Sequence, residues 1–350
     1  MLRTRTLSTL LTSLLLALGL AVGVTAPASS LRPVKATSST VVAPAEGYGF
    51  TDGMNILGLS TADLDRTLDA LAATGGSWLR MPLPWALIER TRGTYDWSVT
   101  DRVVTAARAR GLKVIGVVAY VPDWARSSDH PTAPPTDPAA FGAFAGDLAK
   151  HYAGAVDTFE IWNEPNLAPF YGGDPDARSF TALLRAAYPA IKAVQPRSTV
   201  VLGGLSKARS DATAPNTFLG NVYGYGGRAY FDAVGFHPYV NATGYATDSQ
   251  RVWQQVSNLR STMVLRGDLL KKIWFTESGM STWTGGYTPQ QQADAAVDQL
   301  RKAAQTPYVG PSILYSVRDS GIIPTDVGQN YGALLTRDWR AKPLAAVLAD

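Results

Sequence analysis

The sequence predicts a (β/α)8 barrel. Short apolar runs of strand type recur eight times, segments of helical period separate them, and no linker-like stretch interrupts the series before Asp350. The strand candidates are 48–53, 77–81, 113–120, 158–162, 199–203, 233–237, 272–276 and 312–316. Helical patterns fall at 61–73, 100–110, 138–152, 176–194, 248–265, 289–304 and 341–349. The rival architecture, a doubly wound open sheet, would place a Gly-rich phosphate turn after its first strand, and residues 47–59 lack that spacing.

Two segments precede this series. Residues 1–28 open with Arg3 and Arg5, continue through an apolar run at 10–24 and end on the small residues Ala26 and Ala28, the pattern of an export signal cleaved after Ala28. An uncleaved membrane anchor is the alternative, because 7–26 approaches the roughly 20 residues that span a bilayer. Either fate places the remainder outside the cytoplasm, secreted or attached to the cell envelope. Residues 29–46 are rich in Ser, Thr, Ala, Val and Pro, as in a flexible tether, which leaves 47–350 as one expected domain.

The chain has 350 residues, 46% of them hydrophobic and 17% charged, enough for a large core. Its net charge of +4 falls to +2 without Arg3 and Arg5, and the other basic residues are scattered, so no nucleic-acid partner is expected. The absence of cysteine rules out a disulfide framework. His130, His151 and His237 lie far apart without a paired-histidine motif, so neither a metal nor another cofactor is expected. Serine-hydrolase chemistry lacks its Gly-x-Ser-x-Gly elbow. Asn241, Ala242 and Thr243 match a glycosylation acceptor but carry no further argument.

Glu164 and Glu277 each close an apolar strand candidate, the fourth and the seventh, where a barrel of this kind places its chemistry. Burying an acid at a strand end is costly, and paired carboxylates are what cleavage of a glycosidic bond uses. On a strand ring of roughly 7 Å radius, positions three strands apart are about 13 Å apart at Cα, which inward side chains reduce to about 5 or 6 Å. That is the spacing of a retaining mechanism, about 5 to 5.5 Å, rather than the wider inverting gap.

The strings Phe159, Glu160, Ile161, Trp162, Asn163, Glu164, Pro165, Asn166 and Thr276, Glu277, Ser278, Gly279 resemble the clan A glycoside hydrolases over the whole barrel. Together with Gly235, Phe236, His237, Pro238 and Tyr239 they are most similar to family 39 and its exopolysaccharide endoglycosidases. The resemblance implies that Glu164 is the general acid/base and Glu277 the nucleophile. A salt bridge for either is the structural alternative. It also implies that Asn163 binds the sugar 2-hydroxyl, which requires a bulge near the end of strand four so that Asn163 and Glu164 both face the site. Arg80 occupies the place of the clan arginine that keeps the nucleophile ionised, with an internal pair to Glu160 as the alternative. His237 and Tyr239 match a histidine and a tyrosine close to the nucleophile, the tyrosine donating to Glu277. A buried histidine can equally be structural.

At strand eight the clan often presents a tryptophan under the reactive sugar, and Tyr315 is the nearest match here. Trp85, Trp124, Trp162, Trp283 and Tyr120 lie at or beyond predicted strand ends, where aromatic faces could stack on pyranose rings. Five such rings on one rim point to an extended cleft and endo action on a polysaccharide or oligosaccharide. A monomer is expected, without membrane contact beyond an uncleaved anchor. A non-catalytic carbohydrate-binding barrel that scaffolds an extracellular polysaccharide is the alternative function.

Overall fold

The computed structural model describes residues 41–349 apart from Thr243. The expected export signal, most of the tether and Thr243 of the glycosylation motif lie outside the described residues. Eight parallel strands close into a barrel in chain order: β1 (Tyr48–Thr51), β2 (Trp78–Pro84), β3 (Lys113–Ala119), β4 (Thr158–Asn163), β5 (Thr199–Ser206), β6 (Ala233–His237), β7 (Ile273–Ser278) and β8 (Val309–Tyr315). One principal helix follows each strand: α1 (Thr61–Ala72), α2 (Ser98–Ala109), α3 (Pro138–His151), α4 (Ala177–Val194), α5 (Pro215–Gly224), α6 (Tyr245–Leu265), α7 (Pro289–Ala304) and α8 (Pro343–Ala349).

Helix starts follow local chemistry. Asp137 and Asp176 accept from backbone N–H groups of the first turns of α3 and α4, and Thr288 with Gln291 forms a capping box ahead of α7. The helix absent from the sequence reading is α5. Its ten residues include two glycines and four β-branched or aromatic side chains, which weaken helical character, but Phe218, Leu219 and Val222 are buried and packing overrides propensity.

Strand β2 runs three residues beyond its expected end. Pro82 and Pro84 lack the N–H of a ladder, yet both pair in register with β3, at Val117 and Ala119. Pairing of β1 with β2 stops at Arg80, so past that point β2 faces no partner strand on its other edge.

The expected tether also ends earlier than 46. Pro44 is buried, the Glu46 carbonyl accepts from Trp78 Nε1 at 2.8 Å, and the Glu46 carboxylate pairs with Lys272. These contacts tie the chain to the base of the barrel, the end at which the strands begin.

Candidate active site

The site is built at the carboxyl ends of the strands around Arg80 of β2. Its guanidinium is buried and makes three contacts: Nε to Glu160 Oε2 at 2.6 Å, Nη1 to Glu277 Oε2 at 2.7 Å, and Nη2 to Asn163 Oδ1 at 2.8 Å. Both readings of Arg80 are therefore present at once, the internal pair with Glu160 and the contact with Glu277. Burial lowers the proton affinity of Arg80, but the charges of Glu160 and Glu277 more than offset it, and the group stays a cation.

Glu160 lies beneath the site with no exposure. Its Oε2 takes Arg80, while its Oε1 accepts from Gly204 N at 2.7 Å and Thr276 Oγ1 at 2.8 Å. One buried carboxylate thus joins β2, β4, β5 and β7 where the functional residues emerge.

Glu277 receives Arg80 on one oxygen and the Tyr239 hydroxyl on the other. Burial raises its proton affinity, but the electrostatic pull of His237 and Arg80, with hydrogen bonds from Tyr239 and Arg80, outweighs burial and holds the carboxyl below its ordinary 4.5. Tyr239 is pushed well above its ordinary 10.0, by burial first and then by the charge of Glu277, so its hydroxyl remains a donor.

Glu164 has a different neighbour. Its Oε1 lies 3.0 Å from His237 Nδ1. The resemblance led us to expect this histidine beside Glu277. Its electrostatic pull does reach Glu277, while its hydrogen bond goes to Glu164. The imidazole packs against Gly204, which leaves room that a side chain would fill: a Cβ there would lie 2.0 Å from His237 Nε2. His237 Nε2 is buried without a hydrogen-bond partner among the described residues.

Asn163 and Glu164 reach the same pocket by a different device from the expected bulge. Pairing of β4 with β5 keeps register, Ile161 with Leu202 and Asn163 with Gly204. The turn is made by left-handed backbone at Trp162 (φ 74°) and Glu164 (φ 47°), uncommon for side-chain-bearing residues and locally strained. Glu164 N donates to Gly204 O at 3.0 Å, and Asn166 holds the following loop through Ser206 and Thr213.

The aromatic residues divide. Trp85 is 1% exposed and donates to Glu89, and Trp162 is 0% exposed and donates to the Phe170 carbonyl. Both are core, so neither offers a face to a sugar. Trp124 is half-exposed, edge-on to Trp85 and donates to the Glu89 carbonyl, with no hydrogen bond to Glu164 or Glu277 among the described residues. Trp283 is half-buried in the β7–α7 loop over Gly285 and Gly286. Tyr315 is half-buried at the end of β8, edge-on to Tyr331 at 5.4 Å. Tyr120, φ 59°, is half-buried at the end of β3, where burial raises its phenol and Arg80 opposes the rise.

Tyr331 was not anticipated. It comes from the long segment between β8 and α8, stands edge-on to Tyr239 at 5.8 Å, and is pushed up to about 12 by burial and by the charge of Glu277. That segment has neither strand period nor helical period, so no sequence pattern marked it. Its placement depends on tertiary ties: Asp52 accepts from Val317 N at 2.7 Å, and Lys342 pairs with Asp319 at 2.9 Å.

A family model described as Cellulase (glycosyl hydrolase family 5) matches residues 44–312. No curated protein matches the chain. Among solved structures, a family 39 glycoside hydrolase from Bacteroides cellulosilyticus WH2 superimposes with TM-score 0.70 at 23% identity, covering 89% of this chain and 64% of that one. A monomeric beta-xylosidase from Caulobacter crescentus CB15 gives 0.66 at 19% identity, covering 89% and 69%. The GH39 enzyme from Xanthomonas axonopodis pv. citri gives 0.67 at 18%, covering 89% and 67%. At these identities the structural likeness speaks for the fold, and the chain spans about two thirds of the length of these proteins. With its barrel and the family match over most of the sequence, the chain is a clan A glycoside hydrolase and belongs to the cellulase family, glycosyl hydrolase family 5.

Proposed function

We propose that the protein hydrolyses O-glycosidic bonds of a polysaccharide or oligosaccharide by double displacement, with Glu164 as acid/base and Glu277 as nucleophile. The observation that carries this division is the asymmetry of the two carboxyls. Glu277 is held in its ionised form by Arg80 and Tyr239, as a nucleophile must be, whereas Glu164 has only His237 as a side-chain partner. In the first step a Glu277 oxygen bonds to the anomeric carbon, the bond to the leaving oxygen breaks, and the proton of Glu164 passes to that oxygen. In the second, Glu164 takes a proton from water, whose oxygen bonds to the anomeric carbon as the ester bond to Glu277 breaks. Asn163 is oriented by Arg80 through its Oδ1, and its Nδ2 makes no hydrogen bond among the described residues, which leaves it to donate to the sugar 2-hydroxyl.

Endo action is supported by Trp124 after β3 and Trp283 after β7, strands four apart in a closed ring of eight and so on opposite sides of the mouth. The name of the xylosidase among the similar structures adds xylose-containing oligosaccharides to the substrates worth testing. The test is a polysaccharide and oligosaccharide panel read by reducing-end release and by proton NMR of the first anomer formed, wild type beside Glu277→Gln. Retention of configuration in wild type and loss of release in Glu277→Gln are expected. Inversion would remove the double displacement, and equal release by both proteins would remove Glu277 as nucleophile.

We also propose that the protein acts outside the cytoplasm, on the strength of the pattern in residues 1–28. Detection of the protein in the culture medium or envelope fraction tests this, and recovery in the cytoplasm alone would overturn it.

A further inference from the structure

The base of the barrel, opposite the mouth, carries a surface that hydrolysis does not use. Helix α6 ends at Leu265, and the chain then runs into β7 along the outside of the base. Val264, Leu265, Leu269 and Leu270 are exposed there, Leu265 by 84% and Leu270 by 97%. The backbone beneath them is firmly bonded. Arg260 donates to the carbonyls of Leu269 at 2.8 Å and Lys271 at 3.1 Å, and Asp268 accepts from Arg228 at 3.0 Å and from the Tyr223 hydroxyl at 2.8 Å. Four aliphatic side chains are thus held outward by a fixed scaffold, an unfavourable arrangement in water unless something covers them.

The surrounding charge narrows what covers them. Asp268 is matched by both Arg228 and Lys271, and Glu46 by Lys272. Arg260 and Arg266 have no carboxylate partner among the described residues, so the patch is net positive. A second copy of the chain would bring two positive patches together, which disfavours self-association. Aliphatic tips ringed by unmatched cations suit an anionic lipid surface, where leucines enter the headgroup boundary and cations meet phosphate.

The course of the chain leads to the same partner. Glu46 is fixed at this base, and in the uncleaved form of the chain only 16 residues separate the apolar run at 10–24 from Val41. That stretch spans at most about 60 Å. No helix among the described residues is long and apolar enough to cross a membrane, so contact by the barrel would be peripheral.

We propose that the base of the barrel, centred on Leu265, Leu269 and Leu270 with Arg260 and Arg266, rests on an anionic lipid bilayer and holds the mouth facing away from it. The chain has no cysteine, so Leu270→Cys gives a single site for an environment-sensitive fluorophore, with Ile322→Cys, exposed on the β8–α8 segment at the mouth, as the control. The full chain is bound to vesicles of phosphatidylcholine containing phosphatidylglycerol, and to phosphatidylcholine alone. On the anionic vesicles the 270 label shifts to the blue and its acrylamide quenching falls about threefold or more, while the 322 label changes little. Adding Leu265→Ser and Leu269→Ser abolishes the difference between the two labels. A 270 label that stays as quenchable as the 322 label on vesicle-bound protein would mean that the apolar run alone holds the chain, and the proposal fails. A blue shift that grows with protein concentration without vesicles would assign the patch to a second copy and overturn it equally.

Discussion

Arg80 Nη1 lies 2.7 Å from Glu277 Oε2, and that contact is one arm of a guanidinium whose other nitrogens reach Glu160 and Asn163. A single planar fork therefore sets the charge on the proposed nucleophile, the orientation of a proposed substrate contact and a tie among β2, β4 and β7.

Lysine cannot serve three partners at these angles. Arg80→Ala leaves Glu160 buried without its cation and is expected to lower stability by about 3–5 kcal/mol in urea unfolding. Arg80→Lys keeps a charge and folds more firmly than Arg80→Ala, yet kcat/KM is expected to fall by about 10²-fold or more because Glu277 loses a fixed counter-charge. Wild-type kinetics in Arg80→Lys would show that the fork is only structural.

Tyr239→Phe removes one of the hydrogen bonds that hold Glu277 below its ordinary range. Because Glu277 must be ionised to attack, the acid limb of the kcat/KM profile reports its titration in the free enzyme. Losing the donor raises that titration, so the acid limb moves to higher pH. The linked stability has the same sign: a depressed carboxyl contributes above its unfolded pKa and loses the contribution as pH falls through the folded one. An acid limb unmoved in Tyr239→Phe would separate the hydroxyl from the charge on Glu277.

The strand series and the position of Glu164 and Glu277 at strand ends were legible because buried parallel strands print as short apolar runs. Helix α5 was not, since its burial rather than its composition makes it helical. Trp85 and Trp162 show the same limit: a tryptophan at a strand end reads alike whether its ring faces core or cleft, and only packing against Phe144 or Phe141 decides. The nearness of His237 to Glu277 was legible from the resemblance, but its hydrogen bond to Glu164 was not, because the void over Gly204 that admits its ring is a property of two strands together.

That void is testable. A Cβ on Gly204 would lie 2.0 Å from His237 Nε2 and 2.7 Å from Thr276 Oγ1, so Gly204→Ala must displace the imidazole or β5. A loss of about 1–3 kcal/mol in stability is expected from overpacking. Activity should fall further than stability requires, since displacing His237 removes the side-chain partner of Glu164. His237→Ala in the same background relieves the nearer clash and leaves the one with Thr276 Oγ1, so it should restore part of the stability but not the activity. If the double variant is no more stable than Gly204→Ala, the clash lies elsewhere.

Asp52 sits under the β8–α8 segment, where its Oδ1 accepts from Val317 N at 2.7 Å. Burial pushes its carboxyl from 3.8 to about 6, against the lowering effect of backbone hydrogen bonds from Val317 and Arg318 and the charge of Arg318. A carboxyl whose folded pKa is raised contributes stability that is fully present below the unfolded value and lost as pH rises through the folded one, so this loss falls between about pH 4 and pH 6. The shift corresponds to on the order of 3 kcal/mol. Asn at this position keeps an acceptor for Val317 N and cannot ionise. Asp52→Asn should therefore be more stable than wild type at pH 7 by up to that amount and should lose the advantage toward pH 4, as read by denaturant midpoints across the range. An advantage that does not change with pH would assign the effect to packing rather than to the proton.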